Sequence, residues 1–169
     1  MGGALKDDSG FRVLKLKCGN GLGSIQRWAI FRYIEPADTN RRIGMDEKSI
    51  DAAMKCLDDF MAAFNARDLA AWERTFNFPS VRLASNTLAI IEPGYHKPEM
   101  FEKGLGEGWH HSGWDRREVI HAGDDKVHLD TRFTRYRADG SVIGHYDSIY
   151  VVTNENGHWG IKARSSFAP

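Results

Sequence analysis

Between residues 46 and 64, apolar side chains recur at spacings of three and four: Ile50, Ala53, Met54, Leu57, Phe60, Met61 and Phe64. That spacing lays one continuous stripe along a helix, with Asp51, Lys55, Asp58 and Asp59 off it. Asp46 reads as the cap, and Asp46 and Glu47 suit the positive N-terminal end. Asn65-Ala66-Arg67 ends the helix, and Asp68 caps a shorter second one that buries Leu69, Trp72 and Phe76. Pro79 stops the helical run. Residues 81–85 and 88–92 then flank Asn86-Thr87 as a short hairpin closed by Pro93-Gly94. A third helix covers at least 98–103. Gly104, Gly106 and Gly108 break it before Trp109-His110-His111-Ser112-Gly113-Trp114, a segment suited to a lid or to a frayed helix end. Residues 116–121 form a strand that turns at Gly123-Asp124-Asp125.

In the last third the period changes to two. Residues 126–137, 142–153 and 158–167 read as three strands joined by Ala138-Asp139-Gly140 and Asn154-Glu155-Asn156-Gly157. Asp-Gly and Asn-Gly tolerate the positive φ of hairpin turns. A hairpin locks the facing of its two strands, because successive side chains alternate. With a three-residue first loop, Phe133 opposes His145, Thr131 opposes Asp147 and Leu129 opposes Ile149. With a four-residue second loop, Asp147 opposes Arg164 and His145 opposes Ser166; a two-residue Asn-Gly turn shifts the partner but keeps the facing. One face then carries Leu129, Thr131, Phe133, Ile149 and Ser166 around a knot of His145, Asp147 and Arg164. Apolar walls with a few polar groups are the composition of a small-molecule pocket. The other face carries His128, Asp130, Arg132, Tyr146 and Tyr150, an amphipathic surface suited to a subunit interface.

The 169 residues suffice for one domain with a core. Formal net charge is zero, so no overall field draws the chain to nucleic acid or an anionic membrane. Residues 1–44 nevertheless hold eight Lys/Arg against four Asp/Glu, net +4, which leaves 15 against 19, net −4, in the rest. This opening part reads as a poorly defined extension. Residues 11–16 form a strand pattern, 25–34 fit strand or helix, and the glycine-rich loop between them lacks a phosphate-binding Gly-Lys-Ser/Thr. The well-patterned part opens at Met45, which suits it as an alternative start. Cys18 and Cys56 cannot build a disulfide framework or a structural zinc site, so a reducing, cytoplasmic setting is expected. No apolar run reaches transmembrane length.

The order helix, short helix, hairpin, helix, then a meander of long strands resembles the nuclear-transport-factor-2-like superfamily, in its SnoaL-like and ketosteroid-isomerase-like branch, over residues 45–169. Its most specific pieces are Phe64-Asn65-Ala66-Arg67-Asp68-Leu69-Ala70-Ala71-Trp72, similar to the family's helix-break-Asp-helix junction, and Gly157-His158-Trp159-Gly160-Ile161, similar to its closing hairpin. The resemblance implies an α+β cone: a strongly bent, mostly antiparallel sheet wrapped around about three helices, enclosing a pocket and often dimeric through the sheet. Fold alone does not specify the reaction. The isomerases place an aspartate base just after the second helix, whereas this chain has Asn77-Phe78-Pro79-Ser80-Val81 there.

These readings give a pocket protein for a small, apolar, oxygen-bearing organic molecule. As an enzyme it would carry out cofactor-independent isomerisation, cyclisation, dehydration or hydrolysis. Asp147 would be the base, His145 the relay and Arg164 the stabiliser of developing negative charge. The plain alternative is a cross-strand Asp147–Arg164 ion pair with His145 at its rim. Thr131, Phe133, Ile149, Ser166, Trp109 and His96 complete the expected ligand contacts. If the other face points inward, Asp130 and Arg132 become the active pair, with Tyr146 and Tyr150 as donors. His110 and His111 are adjacent and point apart, so no metal site is expected. A non-catalytic ligand-binding or dimerising module of the same fold is the competing function, ahead of a transport adaptor.

Overall fold

The apolar stripe becomes the long helix α1, Thr39–Ala66, against which the rest of the described chain packs. The structure is a computed structural model that describes residues 39–168, with side chains from residue 47 onward. The expectations for residues 11–16, 18–24 and 25–34 lie outside the described residues. The compact unit begins at Asn40. Helical backbone already runs from Thr39, so Asp46 lies inside α1 rather than capping it. Arg67, at φ 57°, ends α1. Asp68 then caps α2, Leu69–Glu73, by accepting from the Ala71 amide at 2.9 Å, as its residue type predicts.

Six strands follow, with a third helix among them: β1 Phe76–Ala84, β2 Thr87–Ile91, α3 Met100–Lys103, β3 Trp109–Ala122, β4 Lys126–Arg137, β5 Val142–Glu155 and β6 His158–Ser166. They form one sheet in the order β2-β1-β6-β5-β4-β3, antiparallel throughout except for the β1–β6 pair. The sheet curls around α1 without closing, the expected α+β architecture. Ala53, Cys56, Leu57, Phe60, Ala63 and Phe64 of α1 meet Val127, Leu129, Tyr150, Val152 and Ile161 of the sheet. Burial of the Cys56 side chain pushes its thiol up to about 12, and Sγ donates to the Thr75 carbonyl at 3.5 Å, so this cysteine packs as a small apolar group. Among the described residues, no helix is long and apolar enough to cross a membrane.

Trp109–Trp114, expected as a lid or a frayed helix end, is instead the first half of β3. Trp109 is buried in the core and donates through Nε1 to Ser112 Oγ at 3.0 Å. The preceding glycine segment is pinned too: Leu105 is 4% exposed, and its carbonyl accepts from Arg135 Nη1 at 3.2 Å.

Two single-residue bulges decide what faces inward. Next to the Asp139-Gly140 turn, Tyr136 opposes Val142, the register a three-residue loop predicts. Ile143 is then an extra residue, so Arg135 opposes Gly144 and Thr134 opposes His145. One inserted residue exchanges the two faces of everything beyond it. Across the second turn, Asn156-Gly157 makes the two-residue connection, with Glu155 opposite His158. Lys162 is a second extra residue, so Val152 opposes Ile161 while Tyr150 opposes Arg164.

Candidate functional site

The bulges place Leu129, Thr131 and Phe133 of β4, Tyr146, Ser148, Tyr150 and Val152 of β5, and Arg164 and Ser166 of β6 on the inner face. His145, Asp147 and Ile149 are on the outer one. The expected knot of Asp147, His145 and Arg164 is therefore not assembled, and neither is the Asp147–Arg164 ion pair. Asp147 is 53% exposed and lies 3.6 Å from Arg116 Nη2, which also holds Asp130 at 2.7 Å. That cluster is a solvated surface network, worth little to stability. His145 is half exposed, with Nδ1 2.6 Å from the buried Thr134 hydroxyl, which itself donates to Asp115 Oδ2 at 2.6 Å. Ile149 is 46% exposed.

The alternative set divides in the same way. Asp130 and Arg132 face outward, whereas Tyr146 and Tyr150 face inward. Of the expected ligand contacts, Thr131 is fully buried and donates to the Ser148 carbonyl at 3.0 Å. Ser166 accepts from Arg164 Nη2 at 2.9 Å and from Ser148 Oγ at 2.8 Å. Phe133, Tyr150, Arg135 and Arg164 border a cleft of only about 20 Å³. His96 does line a real cavity; Trp109 does not.

That cavity measures about 480 Å³ and lies between α1, α2, β1, the β2–α3 connection and the inner ends of β4 and β6. Its aromatic wall is Phe60, Phe64, Trp72 and Phe76. The Trp72 ring sits 5.5 Å from Phe60 and 5.2 Å from Phe64, and the His96 ring lies 4.1 Å from Trp72. The lining also carries Arg82, Arg135 and Arg164. The parallel β1–β6 register puts Arg82 directly across from Arg164. Arg164 lies over the rings of Phe133 and Tyr150 at 5.5 and 5.3 Å, and Arg135 lies over Tyr146 at 4.8 Å, the geometry of cation–π contacts.

Electrostatics in the cavity follow from burial and like charge. Burial holds the Arg135 guanidinium below its usual range, and Arg164 and Arg82 add to this against the upward pull of Tyr146. Burial and Arg164 act likewise on Arg82. His96 is pushed down to about 4, first by burial and then by Arg82 and Arg164, so its imidazole is neutral at pH 7. Its Nδ1 is buried without a partner, as are Trp72 Nε1, Arg135 Nε and Arg164 Nε. The arrangement can hold an apolar body against the rings and present donors to oxygen atoms. Among the described residues, no three His, Cys, Asp or Glu side chains gather as metal ligands would.

Arg82 and Arg135 escaped the sequence reading for identifiable reasons. In Val81-Arg82-Leu83 the apolar Leu83 is 39% exposed while the arginine lines the cavity, the reverse of the usual pattern. Arg135 sits beside the bulge, where Phe133, Thr134 and Arg135 are all buried and alternation carries no signal.

Comparison with known proteins supports the fold. The family of NTF2-like proteins DUF6841 matches residues 47–166. A solved NTF2-like protein of unknown function from Pseudomonas putida KT2440 is 16% identical, with a TM-score of 0.57 over 75% of this chain and 88% of that one. An NTF2-like protein from Cytophaga hutchinsonii is 13% identical, with a TM-score of 0.56 over 71% and 98%. A ketosteroid isomerase-like protein from Erwinia carotovora atroseptica is 17% identical, with a TM-score of 0.54 over 72% and 98%. These likenesses establish the architecture alone. A search of curated proteins gives no match.

Proposed function

Because the chain belongs to the NTF2-like family DUF6841, we propose that it is a small-molecule pocket protein whose ligand is a small, largely apolar, oxygen-bearing organic compound. The observation that carries this reading is the cavity of about 480 Å³ with its wall of four aromatic rings, within the size range of ligand sites. The neutral fluorophore 1-aminoanthracene is expected to bind at one site per chain with Kd on the order of micromolar. Met100→Trp, which fills the cavity edge, should weaken it about tenfold. Asp147→Asn, on the outer face, should leave it unchanged within about twofold. Binding that ignores Met100→Trp, or no binding at all, would contradict the assignment.

Cofactor-independent acid–base catalysis in the same cavity is a second reading, favoured by the neutral His96 among the lining residues. In that case His96 accepts the proton and Arg164 stabilises the developing charge, in place of the Asp147 arrangement. His96→Phe keeps a ring against Trp72 and should abolish turnover of a substrate that Asp147→Asn still processes. Retained turnover in His96→Phe would remove the role.

Self-association through the outer face of the sheet belongs to the same proposal. Val81, Leu83, Leu88, Ile90 and Ile149 are 37–65% exposed, and the register lines up Leu88, Leu83, Ser165 and Ile149 across four strands. Such a contiguous apolar face suits a two-fold pairing of identical surfaces. Sedimentation equilibrium should give a dimer that Leu83→Asp converts to monomer; a monomeric wild type would refute the pairing.

A further inference from the structure

Two arginines of the cavity, Arg135 buried and Arg164 half-buried, have no counter-ion among the described residues. Arg135 is 4% exposed; its Nη1 donates to a backbone carbonyl, and its Nε is buried without a partner. Arg164 donates to the neutral Ser166 hydroxyl, and its Nε is also buried without a partner. No Asp or Glu is among the described residues that line the cavity, whereas Lys97 is among them.

A cation set into a low-dielectric wall is costly unless an anion answers it. On β3, by contrast, Arg116 and Arg117 each hold a carboxylate at 2.6–2.7 Å. Among the described residues, carboxylates are thus kept out of the lining that holds Arg135 and Arg164.

We propose that the cavity recognises an organic anion: an aromatic or similarly flat apolar body packed on Phe60, Phe64, Trp72 and Phe76, with its carboxylate received by Arg135 and Arg164. This rests on the pocket reading above and narrows it to a ligand class. A planar carboxylate matches the fork of guanidinium donors, and both arginines are among the lining residues. The ring wall supplies apolar burial for the body of the ligand.

The test compares two isosteres, 2-naphthoate and the uncharged 2-naphthamide, by calorimetric titration of the full chain. The wild type should bind naphthoate about tenfold or more tightly than naphthamide. Arg135→Gln and Arg164→Gln should each remove about tenfold or more of the naphthoate affinity and change naphthamide by less than about threefold. Circular dichroism establishes that each variant is folded; should either fail to fold, the wild-type comparison of the two probes decides alone. Equal wild-type affinities, or folded arginine variants that bind naphthoate normally, would overturn the anion assignment while leaving the pocket intact. Failure of both probes to bind would overturn the pocket reading itself, and this inference with it.

Discussion

Asn77→Ala is expected to lower the unfolding free energy by about 3 kcal/mol, because one buried side chain answers several groups on the closing hairpin. Asn77 is 5% exposed. Its Nδ2 donates to the Thr153 carbonyl at 2.8 Å and the Thr153 hydroxyl at 3.0 Å, and its Oδ1 accepts from His158 Nδ1 at 2.7 Å. Alanine removes these bonds together at a part-buried junction. For a chain of 169 residues the loss corresponds to a fall in Tm of about 10 °C. Thermal denaturation followed by circular dichroism measures it, and a fall of less than about 2 °C would contradict the network role. A carboxylate at position 77 would face the carbonyls of Thr153, His158 and Gly160, and Asn77 is not among the cavity-lining residues.

Gly160→Ala should be comparably damaging, by about 3 kcal/mol. A Cβ at this position would stand 2.8 Å from Asn77 N and Phe76 C, and 2.9 Å from Asn77 Cγ. The obstructing atoms are mostly backbone of the neighbouring strand, so relief requires β1 to move away from β6. Those two strands carry Arg82 and Arg164 into the cavity, so the variant should also weaken 1-aminoanthracene binding, unlike a substitution on the outer face. Urea denaturation together with the dye titration tests both parts; unchanged stability would show that the strand contact is looser than described. Because Asn77 and Gly160 share one junction, the double variant should lose less than the sum of the single losses.

Much of this fold is legible from the residues. The stripe of α1, the Asp68 cap, both C-terminal hairpins and the limits of β4 follow from periodicity and turn chemistry, and the element order carries the family resemblance. The inner face does not follow, and the reason is local. Alternation is a parity argument, and a single inserted residue reverses it. Ile143 looks like any β-branched strand residue, yet it is the bulge that sends His145 and Asp147 outward. Lys162 performs the second reversal and returns Arg164 and Ser166 to the inner face, beside Thr131 and Phe133 as expected. Two slips thus leave part of the predicted face intact and separate the residues whose union mattered most. The cavity itself depends on Arg82, Arg135 and His96, which come from separate strands and a loop, and no short motif joins them.

His96 reports on that cavity from inside. Its folded pKa lies near 4, against the ordinary 6.5, so the unfolded chain binds more protons between these values. Its contribution to stability is therefore fully present above about pH 6.5 and is lost as pH falls toward 4. The most direct measurement of the central claim is the NMR titration of the His96 imidazole, in the wild type and in Arg164→Gln. Titration near pH 4 in the wild type, shifted upward when the Arg164 charge is removed, is the predicted result. An ordinary titration near 6.5, indifferent to Arg164, would mean that His96 and the arginines do not share an enclosed space.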